Sequence, residues 1–218
     1  MAIATLADKR DRVLKYLAWL VVGASLLTIW PPFHVHRLLA SGTDQTESDA
    51  SVQARRTADS FWSGTLAAGG ANAMDIRALV EQLQTDPAAA QRQGHTADYG
   101  GSPYYFLRGA ARVTSIDSTG LWLDVGAPGA MKVLLLVGPI FGNALRDATG
   151  KLPMSDLGFT QFDAVSEELD RLAESQGQAG LRGGVKVGAV LHIVAAGEVD
   201  DSRGYPVLEL SPVSITVQ

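Results

Sequence analysis

The sequence predicts an α+β protein in which an N-terminal membrane helix and a helical segment precede a five-stranded barrel. Three runs rich in aromatic and β-branched residues follow residue 103, then one amphipathic pattern, then two further such runs. This order of three strands, one helix and two strands is typical of the OB-fold, a small, partly open barrel with its helix between strands 3 and 4. We therefore divide the 218 residues into a cytoplasmic tip with its anchor (1–40), a linker with a helical segment (41–98) and the barrel (99–218).

The first part of the chain has the features of a membrane anchor. Residues 16–30 carry no charge, and with their apolar neighbours they approach the roughly 20 residues that cross a bilayer. A basic flank precedes this run and stays on the cytoplasmic side of a membrane: Lys9, Arg10, Arg12 and Lys15. We therefore expect an uncleaved signal anchor that crosses a bacterial inner membrane once and leaves the C-terminal domain in the periplasm. A cleaved signal peptide is the alternative.

Composition excludes several classes of site. The chain contains no cysteine, so disulfides, thiolate metal sites and lipidated cysteines are excluded. Residues 38–42 (LLASG) are similar to a lipoprotein cleavage box, but Gly42 stands where that box needs cysteine. The net charge of −5 gives no electrostatic footprint for nucleic acid, so we expect no nucleic-acid partner.

Residues 41–98 begin with a polar linker, residues 41–51, and continue with three predicted helices. The first begins near Asp49 and has one apolar face: Ala54, Ala58, Phe61 and Trp62. The second begins at Asn72 or Ala73 and places the following residues at helical spacing: Met74, Ile76, Leu79, Val80 and Leu83. The third has the N-cap and first-turn pair Asp86-Pro87 and ends at Gly94. Such stripes predict core positions rather than ligand-binding positions.

Residues 99–218 contain the predicted barrel. Gly109 lies inside the first strand, where it would permit the sharp bend that a barrel needs. The first three strands form a meander and the last two a hairpin with its turn at residues 200–204. The five strands cover residues 104–117, 121–126, 131–138, 185–199 and 205–217.

One helix of about residues 161–175 separates the third and fourth strands. Its apolar face comprises Phe162, Val165, Leu169 and Leu172. The first three are predicted to be buried where this helix closes the barrel. Its opposite face is predicted to meet solvent and comprises Glu167, Glu168, Asp170 and Arg171. A loop at residues 151–160 precedes the helix, and a flexible break at residues 177–184 follows it.

The least generic stretch is GPIFGNALRDATG, residues 138–150, which directly follows the third strand. Neighbouring residues of a helix point about 100° apart, so the adjacent arginine and aspartate are not expected to pair with each other. In one interpretation the arginine binds an anionic or hydroxyl-bearing ligand, assisted by amides at the helix start. In the other, the aspartate holds a tight corner and accepts amides of residues 151–155, while the arginine caps another element. The candidate residues are Gly138, Pro139, Gly142, Asn143, Arg146 and Asp147.

No pattern predicts catalysis, a metal or a cofactor. The four histidines, His34, His36, His95 and His192, show no metal-ligand spacing. No serine lies in a G-x-S-x-G motif, and residues 183–188 (GGVKVG) lack the GK[ST] ending of a phosphate loop. We therefore expect no catalytic residue and no enzymatic activity.

Five stretches resemble the predicted periplasmic lipoproteins known as domain of unknown function twenty-two ninety-one. They are FW at residues 61–62, DPAAA at 86–90, YGGSPYYFLRG at 99–109, the long run at 137–174 and LELSPVSITV at 208–217. The resemblance implies a membrane-tethered extracytoplasmic protein, often encoded beside sugar ABC transporters, and implies no particular activity. The chain departs from the family's pattern by lacking a lipidated cysteine, by Asn143 where threonine is expected, and by LGFTQF at residues 157–162.

Three functional hypotheses follow. The first is a tethered binding or assembly module that works with a transporter or another envelope protein through its barrel face. The second is a sensor or binder of a small molecule, such as a carbohydrate, at the same face. The third is a hydrolase, for which the sequence offers no nucleophile and base. The sequence identifies no ligand.

Overall fold

The computed structural model describes residues 49–97, 100–129, 131–152, 154–181, 184–200 and 206–218. The expected membrane anchor and most of the hairpin turn at residues 200–204 lie outside these ranges. Within them, no helix combines the length and the apolar character needed to cross a bilayer. The described residues belong to one compact unit, so the described part of the helical segment and the barrel fold against each other.

The helical segment begins with helix α1, Asp49–Phe61, which continues into a π-helical stretch, Trp62–Ala67, and a 3-10 turn, Gly70–Asn72. A short strand β1, Met74–Asp75, comes next, followed by α2, Ile76–Thr85, and α3, Pro87–Gln93. The expected start of the second helix at residue 72 or 73 is therefore wrong. Asp75 is its N-cap and accepts the amide of Ala78 at 3.0 Å, while β1 pairs in parallel with the first barrel strand.

The N-cap role predicted for Asp86 is confirmed. Its side-chain oxygen accepts the amide of Ala89 at 3.0 Å, Pro87 occupies the first turn of α3, and Gly94 is the C-cap. Both N-caps, Asp75 and Asp86, are aspartates directly before a helical apolar pattern. This signal is local and can be recognised from the sequence alone.

The five barrel strands are β2, Tyr104–Ile116; β3, Gly120–Asp124; β4, Lys132–Leu136; β5, Val190–Asp200; and β6, Val207–Val217. They hydrogen-bond in the order β2-β3-β4-β6-β5, and β5 returns to β2 and closes the barrel. The β4–β6 pair is parallel and the other barrel pairs are antiparallel. The register of β2 is interrupted between Val113 and Ser115, whereas Gly109 lies in an unbroken ladder with β5. The predicted order of strands is therefore confirmed.

Three helices follow β4: the single turn α4, Ala144–Asp147; α5, Met154–Leu157, in the predicted loop; and α6, Phe159–Leu181. The predicted break at residues 177–184 is wrong at its start, because α6 continues through Gly177 and Gly180. A β-carbon on Gly180 would lie 2.9 Å from Cβ of Ile215 in β6. These glycines therefore permit close contact between helix and strand and do not end the helix.

The apolar residues form two clusters, one inside the barrel and one on its outer side. The inner cluster includes Ile76, Leu79 and Val80 of α2, so α2 covers one opening of the barrel. The outer cluster joins α1, α4 and α6 to the strands and includes Val165 and Leu169. Phe162, Val165 and Leu169 are buried as predicted. Val165 and Leu169 belong to the outer cluster, so this face of α6 packs on the side of the barrel and not over its opening.

Candidate functional site

The first half of the GPIFGNALRDATG segment is a tight corner held by two carboxylates of α6. The amide of Ile140 donates to Oε1 of Glu174 at 2.8 Å, and the amide of Gly142 donates to Asp170. Gly142 has φ +126°, a conformation that favours glycine. The sequence interpretation assigned the holding role to Asp147, and for these two amides that assignment is wrong. Gly142 and the carboxylates of α6, which lie about 30 residues further along the chain, stabilise the corner together.

The environment of Asp170 changes its acid strength. Asp170 is only 9% exposed, so the prediction that its side chain faces solvent is wrong. Burial, followed by the negative charge of Glu174, raises the pKa of Asp170 to about 7, against the opposing effects of the Gly142 amide and Arg146. Two carboxylates one helical turn apart therefore share the corner, and Asp170 takes up a proton near neutral pH.

The second half of the segment contains a buried ion pair between neighbours. Nε of Arg146 donates to Oδ1 of Asp147 at 2.7 Å, and Nη2 donates to Oδ2 at 2.8 Å. Nη1 donates to Oγ of Ser166 at 2.7 Å, and the guanidinium carbon lies 3.4 Å from the ring centre of Phe162. The expectation that the two neighbours do not pair is wrong. The arginine side chain is long enough to bend back over a single-turn helix.

The contacts of this pair favour a structural role for both residues. Arg146 is 1% exposed and Asp147 is 7% exposed, and both oxygens of the carboxylate accept from the guanidinium. Because the guanidinium and the carboxylate share two parallel hydrogen bonds, most N–H donors of Arg146 are already used and are not available to bind a ligand. Of the other candidates, Pro139 is exposed and Asn143 is the N-cap of α4 without a side-chain capping bond.

A more accessible surface lies on the outer side of β2, β3 and β4. We call it the Trp122 face and define it by Thr114, Trp122, Asp124 and Lys132. These residues border one side of a groove of about 610 Å³, whose other lining residues include Val80, Leu123 and Val133 of the inner cluster. Nε1 of Trp122 donates to Oδ2 of Asp117 at 2.6 Å, and Nζ of Lys132 lies 5.7 Å from the ring centre. The indole, followed by the amide of Thr119, lowers the pKa of Asp117. The carboxylate thus fixes the orientation of a half-buried aromatic ring.

Sequence reasoning did not single out the Trp122 face. The only local signal is that Trp122 and Asp124 alternate with Leu121 and Leu123, which places them on the outside of β3. The partner Asp117 precedes the turn into β3. Among the described residues, no three histidine or carboxylate side chains are grouped to hold a metal ion.

Comparison with known proteins agrees with this architecture. Residues 25–216 match the model of a family described as "Predicted periplasmic lipoprotein (DUF2291)". A crystal structure of an OB-fold protein from Thermotoga maritima is similar with a TM-score of 0.62 and 20% sequence identity, over 82% of this chain and 100% of that one. At that identity the similarity supports the fold alone. No curated protein matches the sequence.

Proposed function

Because this chain belongs to the predicted periplasmic lipoprotein family DUF2291, we propose that it is an extracytoplasmic binding or assembly module. The family description supports an extracytoplasmic location. The sequence has no cysteine to carry a lipid, so we assign the tether to the uncharged run at residues 16–30. The proposal includes no catalytic reaction. A sugar ABC transporter or another envelope protein is the proposed partner.

The Trp122 face carries this proposal. OB-folds use the face of their second and third strands for oligonucleotides and oligosaccharides, and these strands correspond to β3 and β4 here. The face presents an oriented indole beside an ammonium group and a carboxylate. Tryptophan is enriched at binding hot spots because a large ring can be desolvated with few rotatable bonds. The groove is also within the usual size range of ligand pockets.

The same geometry favours one alternative, binding of a carbohydrate. A flat aromatic ring packs against the apolar face of a sugar, while Asp124 and Lys132 could hydrogen-bond its hydroxyl groups. The net charge of −5 disfavours the oligonucleotides that other OB-folds bind. The alternative differs from the first proposal in its ligand and not in its surface.

The test uses the full chain in native membranes. Trp122→Ala should abolish chemical crosslinking to the partner protein, because it removes the ring that we propose makes the contact. Trp122 belongs to neither apolar cluster, so the variant should still fold. Phe141→Ala is the matched control, because Phe141 is also an exposed aromatic at 82% exposure but lies in the corner. Equal crosslinking of wild type and Trp122→Ala contradicts the proposal. If the purified chain instead shows a saturable, Trp122-dependent fluorescence change with oligosaccharides, the alternative is correct.

A further inference from the structure

A second cavity lies where the GPIFGNALRDATG segment ends. It has a volume of about 270 Å³ and is separate from the Trp122 face, since the two share no lining residue. Its apolar side includes Phe106 of β2, and its polar side includes Asn72, His95, Thr149 and Lys151. The volume is just below the range of drug-sized ligand sites, so it fits a small molecule.

Thr149 gives the first indication of a ligand. Its hydroxyl oxygen Oγ1 is buried and has no hydrogen-bond partner. A buried hydroxyl without a partner is unfavourable, and such groups are rare in native proteins. A bound group that completes this hydrogen bond would remove the penalty.

The surrounding side chains indicate which kind of group would form the missing hydrogen bond with Thr149. Asn72, His95 and Lys151 line the cavity, and all three residues are exposed. The cavity is lined by no carboxylate, although acidic residues outnumber basic ones in the sequence, 23 to 18. Donors and an ammonium group without a nearby acid favour an anionic oxygen over a cation.

The backbone of Gly150 holds one wall of the cavity in place. Gly150 has φ +62°, and a β-carbon there would lie 2.6 Å from Nδ1 of His95. The imidazole ring therefore lies directly against the chain next to Thr149. Because only glycine permits both this conformation and this contact, His95 and Thr149 keep a fixed relation to each other.

We propose that this cavity binds the oxyanion group, carboxylate or phosphate, of a molecule no larger than about a monosaccharide. Lys151 supplies the charge at the exposed rim, and the buried hydroxyl of Thr149 rotates toward the cavity and donates to the anion. Asn72 contributes a further donor. The site is independent of the Trp122 face and of any partner bound there.

The test measures binding of small anions to the full chain by titration calorimetry. The probes are inorganic phosphate, glucose 6-phosphate and gluconate, with glucose as the uncharged match. Binding by the phosphates alone identifies a phosphate site, and binding by gluconate identifies a carboxylate site. The proposal is overturned if none of the three anions binds saturably at millimolar concentration, or if glucose binds as well as its charged relatives.

Variants then separate binding from folding. Lys151→Met and Asn72→Asp should each weaken anion binding about tenfold or more without lowering the melting temperature, since both residues are exposed and the second adds a repelling charge. Lys186→Met, which removes an exposed lysine elsewhere, should bind like wild type. Thr149→Val should weaken binding while the ligand-free protein melts at the same or a higher temperature. Wild-type affinity in Lys151→Met and Thr149→Val refutes the assignment.

Discussion

Arg146 and Asp147 occupy consecutive positions and nevertheless join guanidinium to carboxylate through two hydrogen bonds of 2.7 and 2.8 Å. The pair is buried next to Ala144, Leu145 and Ala148, which belong to the outer apolar cluster. The carboxylate of Asp163, which is largely exposed, lies 4.0 Å from Nη1 of Arg146. Ser166 and Phe162 of α6 complete the surroundings of the guanidinium. The pair thus connects the segment after β4 to the helix that covers it.

Removing one member of this pair should destabilise the protein strongly. Asp147→Ala leaves a buried guanidinium without its carboxylate, so we expect the free energy of unfolding to fall by about 3–5 kcal/mol. Arg146→Ala should have an effect of similar size. Urea denaturation monitored by circular dichroism measures both.

The matched control for this pair is Glu81→Ala, which breaks the exposed Arg77–Glu81 pair on α2 and should leave stability nearly unchanged. If Asp147→Ala and Arg146→Ala unfold like wild type, the buried pair is not structural. A search for a ligand would then begin with these two residues.

The carboxyl group of Asp170 should make stability depend on pH. Its folded-state pKa of about 7 lies above the ordinary value of 3.8, so the folded chain holds a proton that the unfolded chain has released. This contribution to stability is complete below about pH 4 and is lost as the pH rises through about 7. The groups that influence it are Glu174, Glu167, Arg146 and the amide of Gly142.

Asp170→Asn keeps an oxygen for the Gly142 amide but cannot ionise. We expect it to gain stability relative to wild type between about pH 4 and pH 8, by on the order of 2 kcal/mol. Urea titrations at the two pH values give the difference. Asp59→Asn, at an exposed position of α1, is the control and should follow wild type. Parallel pH profiles for Asp170→Asn and wild type contradict the expectation.

Gly180 should be intolerant of alanine even though alanine favours helices. Because the added methyl group would lie 2.9 Å from Cβ and 3.2 Å from the carbonyl oxygen of Ile215, α6 must move away from β6. We expect a loss of about 1–3 kcal/mol in the free energy of unfolding. Gly64→Ala, with no atom within 4 Å of the new methyl group, should instead gain about 0.4–1 kcal/mol. A stabilised Gly180→Ala would show that the contact between helix and strand is loose.

Substitution of Leu169 tests how much the packing of the outer cluster contributes to stability. It is fully buried there, so Leu169→Ala should lower the free energy of unfolding by about 2–5 kcal/mol. Val187→Ala, at a position that is 62% exposed, should change it little. Thermal and urea denaturation of the two variants provide the comparison, and a near-neutral Leu169→Ala would mean that α6 packs poorly on the strands.

The barrel was predictable because its signals are local. Alternation of apolar residues predicts the strands, and Asp86, directly before a helical pattern, predicts the start of α3. The burial of Asp170 was not predictable, since α6 contacts β6, α1 and α4 and therefore buries more than one face. Gly177 and Gly180 were interpreted as a break because a sequence pattern cannot distinguish a glycine that ends a helix from one that permits close packing. The Trp122–Asp117 pair and the cavity beside Thr149 depend on neighbours from separate elements, which periodicity does not bring together.

The parallel pairing of β4 with β6 has a consequence for how the chain reaches its folded state. Lys132–Leu135 pair with Val207–Leu210, so the last strand of the barrel meets a partner that left the ribosome some 75 residues earlier. Contacts of such long sequence separation slow folding, because a large loop must close before they form. The meander of β2, β3 and β4 can assemble as soon as it is synthesised, but its edge at β4 stays open until β6 arrives. A nascent chain of this protein therefore exposes an unpaired strand edge throughout the synthesis of α4, α5, α6 and β5, and that interval is when a chaperone would be needed most.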